Sequence, residues 1–85
     1  MMLLSWTEEA WEDYLYWQAN SKQILKRINV LINTTLRTPF DGIGKPEPLK
    51  HDLAGCWSRR IDQEHRLVYD IQDDQIIIIQ CRHHY

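Results

Sequence analysis

Glycine and proline are scarce, with three of each in 85 residues, and five of the six fall between Pro39 and Pro48. That excludes a low-complexity chain and confines the breaks in order to one place. Nowhere do eighteen apolar residues run together, so no bilayer-spanning helix is expected. No N-terminal segment joins a basic start to an apolar run of signal length, and the expected compartment is therefore cytoplasmic. Cysteine is limited to Cys56 and Cys81. They could form one bridge, but an intracellular chain keeps its thiols reduced, and free, half-buried thiols are expected. Positive charge is not in surplus either. A net charge of −2 argues against a domain that grips nucleic acid by bulk electrostatics alone.

What is present is 44% hydrophobic, 26% charged and 11% aromatic, the composition of one globular domain spanning residues 1–85. "MLLSW" is too brief for a helix and reads as an opening strand; Thr7-Glu8-Glu9 then offers a cap and two acids for a helix start. Apolar residues at Trp11, Tyr14 and Leu15 predict a helix from about Glu8 to Gln18, interrupted at Asn20-Ser21. From Lys22, the steps Ile24, Leu25, Ile28, Leu31, Ile32 and Leu36 predict a second, amphipathic helix. "RTPFDGIGKPEPL" is a long loop in which neither helix nor central strand survives. Three strands follow, Cys56 to Ile61, Arg66 to Ile71 and Ile76 to Arg82, joined by polar turns into an antiparallel meander. The expected class is α+β, a mainly antiparallel sheet with both N-terminal helices on one face and the other face free for function. Trp57 and Tyr69 are expected in the core.

The polar residues converge after Lys45, where Lys45, Lys50, Arg59, Arg60, Arg66, Arg82 and all four histidines lie. A hairpin turning symmetrically about Gln63 sets Arg60 opposite Arg66 on one face, a like-charge pair that is useful when an anion sits between them. Glu47, bracketed by Pro46 and Pro48, is held in extended backbone. The ending "IIIIQCRHHY" follows an apolar run with a polar terminus, and it reads in three ways: a frayed tail, a metal site, or catalytic groups carried out of the core on a strand end. For metal, Cys81, His83 and Tyr85 alternate on one face with His84 on the other, so at most two good ligands converge and none is expected. A turn of three or five residues before the last strand puts His84 on the Arg66 face, and one of two or four puts His83 and Tyr85 there. Sequence alone leaves that parity open.

The pieces "WEDYLYWQ", "RTPFDGIGKPEPLKHDLAGCWSRRIDQEHRLVY" and "CRHHY" closely resemble the YoeB-type toxins of the RelE/ParE superfamily over nearly the whole chain. "GKPEPLKH", "WSRRI", "EHRLVY" and the final His-Tyr coincide with that family in content, order and spacing. The resemblance implies a RelE-like microbial RNase fold. It implies a metal-independent endoribonuclease that binds in the ribosomal A site, cleaves mRNA there and is neutralised by a YefM-type antitoxin; such toxins can also form homodimers. It carries catalytic roles to Glu47, Arg66, His84 and Tyr85, and substrate binding to Lys50, His51 and Arg60. His83 departs from the tyrosine common in the family. Cleavage by the ribose 2'-hydroxyl needs that hydroxyl deprotonated, the phosphorane charge compensated and the leaving 5'-oxygen protonated. Glu47 as base, Arg66 as stabiliser and His84 as acid would meet these needs, with Tyr85 orienting or stacking. The runner-up is a non-catalytic toxin of the same fold that binds a target such as DNA gyrase.

Overall fold

A computed structural model describes residues 2–83, so the roles expected of His84 and Tyr85 lie outside the described residues. Strand β1, Leu3–Trp6, leads into α1, Glu8–Asn20. The Thr7 hydroxyl accepts the Ala10 N–H at 3.1 Å, and Glu8 and Glu9 occupy the first turn, where the helix dipole favours acids. Ser21 both ends this helix and begins the next. Its N–H donates to the Trp17 carbonyl, and its hydroxyl accepts the Ile24 N–H to cap α2, Lys22–Arg37. Ile28, Leu31, Ile32 and Thr35 are the buried stripe of α2, at helical steps of three and four.

Four further strands complete the sheet: β2, Glu47–Pro48; β3, Cys56–Arg60; β4, Arg66–Gln72; and β5, Gln75–Gln80. Their order is β1-β5-β4-β3-β2, with β1 parallel to β5 and every other pair antiparallel. Ala10 and Trp17 of α1 and Ile28, Leu31 and Ile32 of α2 form one core with Leu67, Tyr69, Ile76 and Ile78 of the sheet. Both helices thus cover one face, as expected. Among the described residues no helix is long and apolar enough to cross a membrane.

The structure differs from the sequence reading in four places. The long loop contains the two-residue edge strand β2, too short to show periodicity; Pro48 is tolerated there because an edge strand can spare an N–H. The last strand ends at Gln80 rather than Arg82. The second sheet face is not bare, since Val68 is fully buried and Ser58 nearly so. Cysteines are free as expected, but only Cys56 is half-buried. Cys81 is sealed against α1, its Sγ 3.7 Å from the Ala10 carbonyl; burial, with the Asp13 carboxylate adding to it, pushes the thiol up to about 12.

Arg59 explains how a loop rich in glycine and proline is held. The side chain is 0% exposed, yet among the described residues no carboxylate forms a salt bridge with it. Instead Nη1 donates to the Ile43 carbonyl (2.8 Å), Nη2 to those of Thr38 (2.6 Å) and Asp41 (2.7 Å), and Nε to the Tyr69 hydroxyl (3.2 Å). Tyr69 in turn donates to the Pro39 carbonyl at 2.7 Å. A buried guanidinium thus collects the carbonyls of an irregular segment that has no ladder to satisfy them. Gly44 completes the clamp. It adopts φ +84°, its carbonyl accepts the Arg60 N–H at 2.7 Å, and a Cβ there would meet Leu31 Cδ2 at 2.8 Å. Arg59→Met should destabilise the fold by about 1.5–3 kcal/mol, the scale for losing hydrogen bonds from a charged group. Urea unfolding would measure this, and proteolysis should show early cutting between residues 38 and 44.

Candidate active site

The register assembles the site. Glu47 pairs with Ser58, Ser58 with Val68 and Val68 with Gln80, one continuous row across β2, β3, β4 and β5. In the neighbouring row Arg60 pairs with Arg66, as the sequence predicts. Facing residues share a face, and positions two apart along a strand share it too, so Glu47, Arg60 and Arg66 lie together on the side opposite the helices. Tyr69, on the other parity, enters the core as expected, Leu67 enters it as well, and Trp57 packs against it.

Glu47 is exposed on its edge strand between two prolines that fix its backbone. Lys45 (φ +50°) and His51 (φ +60°) bracket the segment in left-handed conformation, and His83 (φ +69°) repeats it. Among the described residues, three of the four non-glycine positions with positive φ therefore flank residues proposed to act on substrate. Such strain costs on the order of 1–3 kcal/mol per residue and collects where geometry is fixed for a task. Lys50 and His51, both exposed, line with Glu47 an open cleft of about 480 Å³ that extends through Leu53.

The two arginines differ. Arg60 is exposed, whereas Arg66 is 9% exposed and donates through Nη1 to the carbonyls of Asp62 (2.7 Å) and His65 (3.0 Å). No buried side-chain nitrogen or oxygen among the described residues lacks a partner.

Asp62 builds the turn that spaces the pair. Its Oδ1 accepts the N–H groups of Glu64 (2.8 Å) and His65 (2.7 Å), an aspartate turn that closes the hairpin. Burial works to raise its carboxyl, but the His65 and Glu64 N–H groups, with His65 and Arg66 nearby, outweigh it and hold the acid below its ordinary 3.8. A carboxyl depressed in the fold contributes stability above its ordinary value and loses it as pH falls through the folded value. Asp62→Asn, which keeps an acceptor but cannot titrate, should therefore lose less stability than the wild type between pH 7 and about pH 3. Urea midpoints at the two pH values check this.

The turn between β4 and β5 has two residues, Asp73-Asp74, and would by itself put odd-numbered tail residues on the Arg66 face. A bulge between Val68 and Tyr69 shifts the register by one, so that Val68 faces Gln80, where β5 ends. The face that His84 and Tyr85 take lies outside the described residues. The sequence could not reveal the bulge, since no glycine marks it. Sequence reasoning also missed Arg59, although its alternation with Trp57 assigns it to the core side, and it did not separate His65 from the other histidines.

The family described as "YoeB-like toxin of bacterial type II toxin-antitoxin system" matches residues 6–85. The chain is 63% identical over 84 residues to the toxin YoeB of Escherichia coli strain K12, spanning 99% of this chain and 100% of that one. Among solved structures, a YoeB/ParE toxin from Agrobacterium tumefaciens is 51% identical and superposes with a TM-score of 0.97 over 99% of this chain and 100% of that chain. A chain of the YoeB-YefM complex from Staphylococcus aureus is 45% identical with a TM-score of 0.91, covering 100% and 99% of the two. Sequence identity of this extent, over a fold shared from β1 through β5, means that the chain belongs to the YoeB-like toxins of bacterial type II toxin–antitoxin systems.

Proposed function

We propose that this toxin is an endoribonuclease that cleaves messenger RNA in the ribosomal A site and so stops translation. The observation that carries the reading is the shared sheet face of Glu47, Arg60 and Arg66: a carboxylate for the 2'-hydroxyl proton beside two cations for the phosphate. Glu47 is the general base. Arg66 stabilises the five-coordinate phosphorus, and His84 protonates the departing 5'-oxygen, with Tyr85 orienting it. Lys50, His51 and Arg60 hold neighbouring phosphates. Attack by the 2'-hydroxyl balances without a metal: the 2'-oxygen bonds phosphorus, the bond to the 5'-oxygen breaks, one proton leaves to Glu47 and one arrives from His84. The products are a cyclic 2',3'-phosphate and a free 5'-hydroxyl.

The ribosome supplies what the small basic set here cannot. Holding a flexible strand in line is worth up to about 7–11 kcal/mol, more than a few exposed cations provide. Message on programmed ribosomes should therefore be cut far faster than the same RNA free in solution, with ends mapping to the A site. Comparable rates in both settings at matched saturation would overturn the ribosome dependence. A 2'-deoxy residue at the cut position should abolish cleavage in either.

Neutralisation follows from the same face. A YefM-type antitoxin, the partner in the staphylococcal complex, would offer an acidic segment that folds over Arg60 and Arg66 on binding. An antitoxin complex that leaves these arginines open to solvent while abolishing cleavage would rule out direct masking.

A further inference from the structure

Beyond Gln80 the chain leaves the sheet ladder, yet its backbone is tied at every other residue. The Cys81 N–H donates to Asp13 Oδ2 (3.2 Å) and the Cys81 carbonyl accepts from Trp17 Nε1 (2.8 Å). The His83 carbonyl accepts the Arg66 N–H (3.1 Å), and the His83 N–H donates to His65 Nδ1 (2.7 Å). That last bond differs in kind from the others. An imidazole accepts only through an unprotonated ring nitrogen, so the proton of neutral His65 resides on Nε2, which lies 3.4 Å from Glu64 Oε2.

The surroundings of His65 hold the ring for this purpose. It is 8% exposed and meets Trp17 edge to face, with centroids 4.7 Å apart. Its backbone is fixed as well, the N–H by Asp62 Oδ1 and the carbonyl by the Ile61 N–H at 3.0 Å and Arg66 Nη1. Trp17 thus steadies both the ring and, through Cys81, the segment the ring grips. His83 itself is bent at φ +69°, a left-handed conformation uncommon for residues other than glycine.

We propose that His65 is a positioning residue: its Nδ1 latches the His83 amide beside Arg66 and sets the direction in which the chain continues into His84. The proposal rests on the endoribonuclease reading above, in which His84 is the acid. His65 touches no reacting atom in this scheme and acts through the segment it holds.

Two substitutions separate an acceptor from a space-filler. His65→Asn retains an acceptor near the position of Nδ1 but removes the ring. His65→Leu retains apolar bulk against Trp17 but removes the acceptor. If the latch operates, His65→Leu should lower kcat on ribosome-bound message by about 10²-fold with KM changed less than about threefold, the scale of loss expected when a reacting group is displaced by about 1 Å. His65→Asn should recover most of that loss even if its urea midpoint is the lower of the two. Hydrogen exchange of the His83 amide gives a readout that needs no cleavage: it should be accelerated in His65→Leu and remain protected in His65→Asn. An unchanged kcat or a protected His83 amide in folded His65→Leu would overturn the latch, as would an Asn variant no better than the Leu variant. Absence of cleavage by the wild type would instead sink the endoribonuclease reading, and the exchange measurement would still decide whether His65 holds the tail.

Discussion

Arg66→Ala is expected to slow single-turnover cleavage of ribosome-bound message by roughly 10²–10³-fold, the usual loss when one preorganised donor to a developing oxyanion is removed. The size of the effect follows from where the guanidinium is held. One nitrogen, Nη1, is anchored to the Asp62 and His65 carbonyls, which fixes the plane of the group before substrate arrives. The remaining N–H groups need little reorganisation to meet a phosphorane. Those anchoring bonds also carry stability, about 1.5–3 kcal/mol for hydrogen bonds to a charged group. Rates should therefore be compared at temperatures where circular dichroism shows both proteins folded. Arg66→Lys tests the planar fork directly, because an ammonium cannot both hold two carbonyls and present paired donors. It should recover much less than half of the lost activation free energy. Arg60→Ala should behave differently. Arg60 is exposed and faces a like charge, so its loss should raise KM more than it lowers kcat and leave the urea midpoint almost unchanged. An Arg66→Ala protein that is folded and cleaves near the wild-type rate would remove Arg66 from the mechanism.

Legibility of the site in the sequence varied with how local the determining physics is. The buried stripe of α2 and the Ser21 junction depend on neighbours within four residues, and both are readable from the chain. The Arg60–Arg66 pairing is nearly as local, because a tight turn built by Asp62 leaves one sensible register. Glu47 reaches the same face only because Pro48 pairs with Trp57 and Glu47 with Ser58 across a long loop. No periodicity in two residues announces that pairing. What brings the loop to the sheet is Arg59, and a single arginine beside another reads as surface charge unless its parity with Trp57 is followed through. The bulge at Val68 and the latch at His65 are tertiary in origin. They depend on contacts between segments far apart in the chain, and nothing in "EHRLVY" or "QCRHH" encodes them separately.

The largest single loss is expected for His84→Ala on an ordinary RNA linkage, about 10²–10⁴-fold if the residue is the proton donor. The isoleucine run explains why a donor would stand at the end of this chain. Ile76 and Ile78 are fully buried in the core, β1 pairs along β5, and the tail is tied to α1 at Cys81 and to the β3–β4 turn at His83, so the chain is anchored up to His83. A proton donor matters only while the leaving oxygen needs a proton. Replacing the 5'-bridging oxygen by sulfur gives a group that departs readily as a thiolate. His84→Ala should then cleave within about tenfold of the wild type, since the step that general acid catalysis accelerates no longer needs it. Glu47→Ala should stay impaired on both substrates, because the 2'-hydroxyl must be deprotonated whichever atom leaves. Equal defects of His84→Ala on the oxygen and sulfur linkages, with chemistry shown to be rate-limiting, would recast His84 as a residue that positions the strand or balances its charge. Rescue of Glu47→Ala by sulfur would reverse the assignment of base and acid.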